Sequence, residues 1–190
     1  GIFFKKQSYE MLMSQSDKTI GDIWSILRRV TGGQMVSNFR PVTASAIYSL
    51  FCDEGDTVWD MSCGWGGRLL ASIKSNVNYI GTDPNSITMK GLKEMRSTFG
   101  HKNRSYELLT MGSEDYKPKK NSLDFAFTSP PYFDTEKYSN EKTQSYLKYS
   151  NINTWKEKFL RKTIDNCYSG LKDNKFMALN VADVRNYETF

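Results

Sequence analysis

Short apolar runs alternate with helical segments along most of this chain, and no other feature constrains its fold as strongly. The runs are bounded by turn residues, which is typical of buried strands. Helical segments separate most of them, and such crossovers join parallel strands. The sequence therefore predicts an α/β fold with a doubly wound, mostly parallel sheet. The predicted strands are TVWDM (57–61), YIGTD (79–83), SYELLT (105–110), SLDFAFTS (122–129) and KFMALNVAD (175–183).

Helical periodicity predicts the other elements. The predicted helices cover about 8–30, 44–51, 68–74, 85–99 and 154–171. The 190 residues suit one domain with a sizeable core. We expect a single domain over 1–190, with an N-terminal helical segment over 1–36 and the core over 37–190.

Composition narrows the class of protein. The chain is 38% hydrophobic and 14% aromatic, which argues against disorder. It contains no apolar run long enough to span a membrane and no signal-peptide pattern, so we expect a soluble, cytoplasmic protein with no membrane partner. The net charge of +5 favours polyanionic partners.

Metal and histidine chemistry are not expected. The three cysteines have no CxxC spacing, so the sequence supports neither a zinc ribbon nor a disulfide framework. The only histidine is His101, in a segment that reads as a solvated loop. Catalysis that needs several histidines is excluded.

The distinctive motifs all follow predicted strands. The glycine-rich DMSCGWGG (60–67) follows the first strand, Asp83 closes the second, GSED (112–115) follows the third, and SPPY (129–132) follows the fourth. Open parallel sheets bind ligands beyond the carboxyl ends of their strands. These motifs therefore predict one shared crevice.

The first two motifs favour a nucleoside-containing cofactor. Small residues after a first strand let a ligand approach the backbone, and Asp83 lies 19 residues after Gly64, where a carboxylate commonly accepts from ribose hydroxyls. A tight strand-to-helix turn is the alternative interpretation of the glycines. The spacing differs from G-x-G-x-x-G, which disfavours a nicotinamide cofactor.

The SPPY motif suits a site that orients an amine. Two prolines supply no backbone N–H and lock two φ angles, so the corner is rigid. The hydroxyl of Ser129 and the carbonyl of Pro130 are acceptors for the N–H groups of an exocyclic amine, whose nitrogen must become more tetrahedral to react. Pro131 completes the corner, and Tyr132 offers a ring on which a base can stack.

In combination, these motifs resemble the S-adenosylmethionine-dependent amino-methyltransferases of DNA, which modify adenine N6 or cytosine N4. The resemblance covers about 39–183 and implies a Rossmann-like sheet of the class I methyltransferase type, S-adenosylmethionine as cofactor, and DNA methylation as in restriction–modification. It implies catalytic roles for Ser129, Pro130, Pro131 and Tyr132, and base contacts for Tyr132 and Phe133. The implied cofactor-binding residues are Arg40, Asp60, Ser62, Gly64, Gly66, Asp83, Ser113 and Glu114.

Several alternatives stay open. An RNA base methyltransferase, a catalytically silent nucleic-acid-binding module and a nicotinamide-dependent oxidoreductase are rival functions. The acidic residues of GSED are also typical helix caps, and Arg40 also suits a structural ion pair. The polar segment after SPPY is expected to close over an unstacked base or to remain a mobile surface loop. The family's last two strands are not found, so we expect a longer protein or a partner chain to complete the sheet and supply target recognition.

Overall fold

The computed structural model of the chain describes residues 38–135 and 137–181. Within these residues, five parallel strands form one sheet with the order β3-β2-β1-β4-β5. The doubly wound parallel sheet predicted from the sequence is confirmed. The strands are β1 (Thr57–Asp60), β2 (Asn78–Thr82), β3 (Tyr106–Leu109), β4 (Leu123–Thr128) and β5 (Leu171–Leu179).

The helices that the structure describes lie between these strands and before β1. They are α1 (Pro41–Phe51), α2 (Gly67–Lys74), α3 (Ser86–Phe99), α4 (Ser145–Lys148), α5 (Ile152–Trp155), a π-helical segment (Lys156–Arg161) and α6 (Lys162–Gly170). Helix α1 begins before the predicted residue 44 because the φ angle of Pro41 suits the first helical position. No helix among the described residues has both the length and the apolar character needed to cross a membrane.

Helices cover both faces of the sheet. Phe125 and Phe127 of β4 pack with Tyr48 of α1 on one face. Ala126 packs with Trp59 and with Cys167 of α6 on the other. All six residues of β4 are buried, as expected for a central parallel strand between two helical layers.

Strand register determines which residues meet beyond the carboxyl ends. Trp59 of β1 pairs with Ala126 of β4, so the glycine loop after β1 and Ser129 after β4 leave adjacent parallel strands. Thr128 pairs with Leu179 of β5, which places Ser129 beside Asn180 on the other side. Adjacent strands lie about 4.8 Å apart. The glycine loop, the SPPY corner and the residue after β5 are therefore neighbours.

The predicted boundary between the last helix and the last strand is wrong. Residue 171 was assigned to the helix, but β5 begins at Leu171 without an intervening loop. A Cβ on Gly170 would lie 2.4 Å from Pro118 Cγ, so this glycine permits a close turn into the sheet. Asn174 has a φ of 60°, and the register shifts between Leu123 and Phe125. Because of this irregularity, the sequence pattern did not indicate that the strand begins at Leu171.

Two predictions fall partly or wholly outside the described residues. The N-terminal segment over 1–36 lies entirely outside them. Strand β5 ends at Leu179, and residues 182 and 183 of the predicted strand also lie outside.

Candidate cofactor and active site

The glycine loop between β1 and α2 requires glycine at particular positions. Gly64 and Gly66 have φ angles of 50° and 85°, in the left-handed region. A Cβ on Gly66 would also lie 2.5 Å from Leu92 Cδ2, and one on Gly67 would lie 2.0 Å from the carbonyl oxygen of Phe39. The loop is therefore tightly packed at Gly66 and Gly67, where no side chain fits.

Asp60 organises this loop from beneath. Its carboxylate is fully buried, and Oδ2 accepts from Arg68 Nε at 2.8 Å and from Tyr79 Oη at 2.7 Å. Arg68 also donates to the carbonyl of Ser62. Burial opposes the charge of Arg68, but Asp60 outweighs that effect and raises the guanidinium pKa above its ordinary value. Asp60 thus holds the shape of the loop through Arg68 and Ser62.

Asp83 joins the glycine loop to the end of β2. Its Oδ2 accepts from the backbone N–H of Gly64 at 3.0 Å, and its Oδ1 accepts from that of Asn85 at 2.9 Å. Burial raises the pKa of this carboxyl, and the two N–H donors oppose the shift only in part. Each oxygen retains a lone pair that could accept from a ribose hydroxyl.

Ser113 and Glu114 turn towards neighbouring helices. Ser113 Oγ lies 2.9 Å from Thr163 Oγ1 of α6. Glu114 is buried, and its Oε1 accepts from Lys148 Nζ at 2.8 Å and from Tyr149 Oη at 3.2 Å. Glu114 Oε2 is inaccessible and has no hydrogen-bond partner among the described residues.

Arg40 is exposed at the residue preceding α1. Its guanidinium forms no ion pair with any residue in the described part of the chain, so the structural ion pair considered above is not found there. Its neighbour Phe39 packs edge-on against Phe127, with ring centroids 5.2 Å apart. This packing holds the segment before α1 against β4.

The SPPY corner directly follows β4 and contacts the end of β5. Ser129 Oγ accepts from Asn180 Nδ2 at 3.3 Å, and Tyr132 Oη donates to the carbonyl of Asn180 at 3.4 Å. The carbonyl of Pro130 accepts no backbone hydrogen bond from the described residues, although Pro130 itself is buried. Ser129 and Pro130 thus both lie at this edge of the sheet, and their acceptor roles stay predictions.

Phe133 does not lie where a base could stack on it. It is only 7% exposed and packs against Trp155, with ring centroids 5.9 Å apart. Its φ of 49° turns the chain away from the corner and directs the ring into a cluster with Phe159 and Leu160. The structure therefore gives no support to the predicted base contact of Phe133, and that of Tyr132 at the corner stays a prediction.

The segment after the corner contacts the ends of other strands. Glu141 accepts from the backbone N–H of Ser86 at 3.2 Å and from its hydroxyl at 2.7 Å, at the start of α3. Thr143 Oγ1 donates to the carbonyl of Pro84 at 3.3 Å. Together with the contacts of Lys148 and Tyr149 to Glu114, these bonds join the segment to the loops after β2 and β3.

Trp65 of the glycine loop is 49% exposed and lies edge-on to Tyr138, with ring centroids 6.4 Å apart.

The described residues contain no cluster of histidine, cysteine or carboxylate side chains that could hold a metal ion. His101 contacts the carbonyl of Ile73 at 3.0 Å, away from the strand ends that carry the motifs.

No protein-family model and no curated protein sequence matches the chain. Its structure is similar to a putative S-adenosylmethionine-dependent methyltransferase from Methanococcus maripaludis, with 12% identity, a TM-score of 0.51, and 88% of this chain and 66% of that chain covered. It is also similar to phosphoethanolamine N-methyltransferase 2 from Haemonchus contortus, with 16% identity, a TM-score of 0.50, and 73% and 27% covered. The chain has the class I methyltransferase fold.

Other matches concern only part of a longer chain. The protein spans 41% and 47% of the length of two structures of a mycolic acid cyclopropane synthase, each matched with a TM-score of 0.49. None of these proteins is named as a DNA-modifying enzyme. The resemblance to DNA amino-methyltransferases therefore depends on the sequence motifs.

Within the class I methyltransferase fold, three residues of the site were not found by sequence reasoning. Arg68 reads as an ordinary helical arginine, although it follows the glycine loop directly. Glu141 belongs to a polar segment with no pattern of its own. Asn180 interrupts the apolar run of the last predicted strand, and this polar residue within the run was the one available signal for it.

Proposed function

We propose that the chain transfers a methyl group from S-adenosylmethionine to the exocyclic amino group of adenine or cytosine in DNA. The observation that carries the proposal is the parallel pairing of β1 with β4, because the glycine loop follows the carboxyl end of β1 and the SPPY corner follows that of β4. An amine-orienting corner and a nucleoside-cofactor loop thus meet at one edge of the sheet.

The residues of the loop fit the proposed cofactor. Asp83 has lone pairs available for ribose hydroxyls, and its bond from the backbone N–H of Gly64 holds it beside the glycine loop. When bound, the sulfonium cofactor supplies an electrophilic methyl group.

The SPPY corner supplies hydrogen-bond acceptors for the amine that receives the methyl group. Ser129 Oγ and the carbonyl of Pro130 accept from the two N–H groups of the target amine and favour its tetrahedral geometry. Neither proline has an N–H that could compete for these acceptors. Tyr132 stacks on the base, which is worth about 1–3 kcal/mol in comparable sites. No histidine is needed, because the amine loses its proton after it has been methylated.

Further buried polar atoms lie close to the SPPY corner in sequence. Thr128 Oγ1, Asp134 Oδ1 and Thr135 Oγ1 are buried and make no hydrogen bond within the described residues. Buried polar groups in proteins are normally satisfied by protein, water or ligand. Their position on both sides of SPPY supports a ligand site there.

DNA is favoured over smaller substrates by the charge of the chain and by the aromatic corner. The net charge is +5, and a flipped base both stacks on an aromatic ring and presents its amine to fixed acceptors. The choice of DNA as substrate does not rest on the substrates of the structural neighbours.

The test is transfer of labelled methyl groups to defined duplex DNA, single-stranded DNA and RNA, with the product base identified by mass spectrometry. We expect N6-methyladenine or N4-methylcytosine in DNA. Ser129→Ala should lower kcat by about hundredfold while S-adenosylmethionine affinity stays within about tenfold. Ser97→Ala, at an exposed serine of α3, is the matched control.

Two results would change the assignment. Methylation of RNA alone would favour the RNA alternative. Failure to bind S-adenosylmethionine, together with salt-sensitive DNA binding, would favour a silent nucleic-acid-binding module. Tyr132→Ala should weaken substrate use, whereas Tyr168→Ala, at a tyrosine that is 81% exposed on α6, should not.

A further inference from the structure

Asn180 contacts both ends of the SPPY corner. Its backbone N–H donates to the carbonyl of Thr128 at 2.9 Å, its side-chain Nδ2 donates to Ser129 Oγ at 3.3 Å, and its carbonyl accepts from Tyr132 Oη at 3.4 Å. One residue after β5 thus touches the proposed acceptor and the proposed stacking ring.

The side chains of Asn180 and Ser129 form a donor next to an acceptor. A carboxamide nitrogen carries two N–H groups, and only one of them is used on Ser129. The second makes no hydrogen bond with the residues that the structure describes. Ser129 Oγ accepts from Asn180 through one lone pair and retains another. The exposed edge therefore presents an acceptor and a donor about one hydrogen-bond length apart.

This pair matches the pairing edge of adenine and cytosine. Each of these bases has an amino donor next to a ring-nitrogen acceptor, N6 and N1 in adenine and N4 and N3 in cytosine. Guanine, thymine and uracil have a carbonyl acceptor next to a ring N–H, which is the reverse order. Enzymes that extrude a base read it through hydrogen bonds to this edge. The pair would therefore accept amino-bearing bases and oppose the others.

We infer that Asn180 is a substrate-specificity residue that donates to the ring nitrogen beside the target amine while Ser129 accepts from the amine itself. The inference rests on the proposed function and names how the same site selects its base. It explains why the carboxamide lies at the corner, since the ladder bond from Asn180 to Thr128 needs only the backbone. The hydroxyl of Tyr132, bonded to the same residue, keeps the stacking ring beside this edge.

The experiment uses the full chain and starts from the base and site identified in the methyl-transfer assay. Oligonucleotides carry at that site either the natural base or an analogue whose ring nitrogen is replaced by CH, 1-deazaadenine or 3-deazacytosine. Wild type should lose about tenfold in kcat/KM on the analogue. Asn180→Ala should lose about tenfold on the natural base and should show no further loss on the analogue.

Two further variants separate specificity from structure. Asn180→Asp has nearly the same shape but no N–H donor, and its carboxylate faces the oxygen of Ser129, so its kcat/KM should fall at least as far as that of Asn180→Ala. Asn103→Ala, at an exposed asparagine, should match wild type on both substrates. Urea unfolding midpoints and S-adenosylmethionine affinity should be unchanged in the Asn180 variants.

Several outcomes would overturn the inference. Full activity of Asn180→Ala, a tenfold loss on the analogue that persists in Asn180→Ala, or an activity loss that follows a lowered unfolding midpoint each removes the proposed contact. These results leave methyl transfer itself intact. If wild type methylates no base in DNA or RNA, the proposed function fails and the inference fails with it.

Discussion

Arg68 and Asp60 form a buried ion pair beneath the glycine loop, with Nε 2.8 Å from Oδ2 and both side chains almost fully inaccessible to solvent. Replacing one partner leaves the other charged and buried, which is costly because water no longer solvates it. We expect Arg68→Met to lower the free energy of unfolding by about 3–5 kcal/mol, measured by urea denaturation.

An exposed arginine provides the control for this change. Arg161 pairs with Glu157 one helical turn away, and both side chains are mostly exposed. Arg161→Met should cost about 0.5 kcal/mol or less. Equal losses in the two variants would mean that the buried pair contributes no more than an ordinary surface pair.

Gly66 should tolerate no side chain. Its φ of 85° is unfavourable for other residues, and a Cβ would meet Leu92 Cδ2 at 2.5 Å. Gly66→Ala should therefore destabilise the fold by about 1–3 kcal/mol. Gly91→Ala is the matched control, because nothing lies within 4 Å of its Cβ position in α3, and there alanine should stabilise by about 0.5–1 kcal/mol. Thermal or urea unfolding of both variants tests this prediction, and a loss of stability in both variants would contradict it.

Asp83 should control cofactor affinity in a pH-dependent manner. Its ionised carboxylate is the form that accepts from hydroxyls, and burial raises its pKa above 3.8. S-adenosylmethionine affinity should therefore fall as the pH drops towards this raised pKa, at a higher pH than for a carboxyl group with the ordinary value of 3.8. Calorimetric titration across pH measures this.

Asp83→Asn should weaken S-adenosylmethionine binding by about tenfold or more and should remove the pH dependence, because an amide replaces one acceptor by a donor. Asp173→Asn, at an exposed residue of β5, should leave the S-adenosylmethionine affinity and its pH dependence unchanged. Unchanged affinity of Asp83→Asn would exclude Asp83 from the site.

Asp124 should stabilise the opposite end of the sheet at neutral pH. Burial raises the pKa of its carboxyl, but hydrogen bonds from Lys172 and the backbone of Thr57 outweigh it, so the net pKa lies below 3.8. A carboxyl with a depressed folded-state pKa stabilises the protein above its unfolded-state pKa, and this contribution is lost as the pH falls through the folded-state value.

Asp124→Asn should therefore cost about 1–3 kcal/mol at neutral pH. The difference from wild type should shrink as the pH falls below 3.8, the ordinary value for an aspartate. Urea unfolding at several pH values measures this, with the exposed Asp53→Asn as control. A constant difference across pH would show that ionisation of Asp124 does not contribute.

The sequence predicted the sheet because strand and helix periodicities are local properties. The interior strand β4 illustrates this, since its apolar run and the two prolines after it define both its position and its end. The start of β5 was missed because Gly170 permits a helix to pass directly into a strand, and that turn depends on contacts with Pro118 and Leu123.

The candidate site was predicted in part. Asp83 and Ser129 each close an apolar run, so their place at one edge follows from parallel strands. Phe133 follows Tyr132 in the chain and has the same aromatic character, but its backbone turns and buries the ring against Trp155. Nothing local distinguishes the two rings.

The amino-acid sequence by itself determined the alternation of strands and helices, the ends of the strands and the motifs that follow them. These features depend on residues that are neighbours in the chain. Only the tertiary structure decided that Arg68 neutralises Asp60 and that Asn180 meets Ser129 across 51 positions of sequence. Such contacts depend on strand register and on packing between distant segments, which no local pattern encodes.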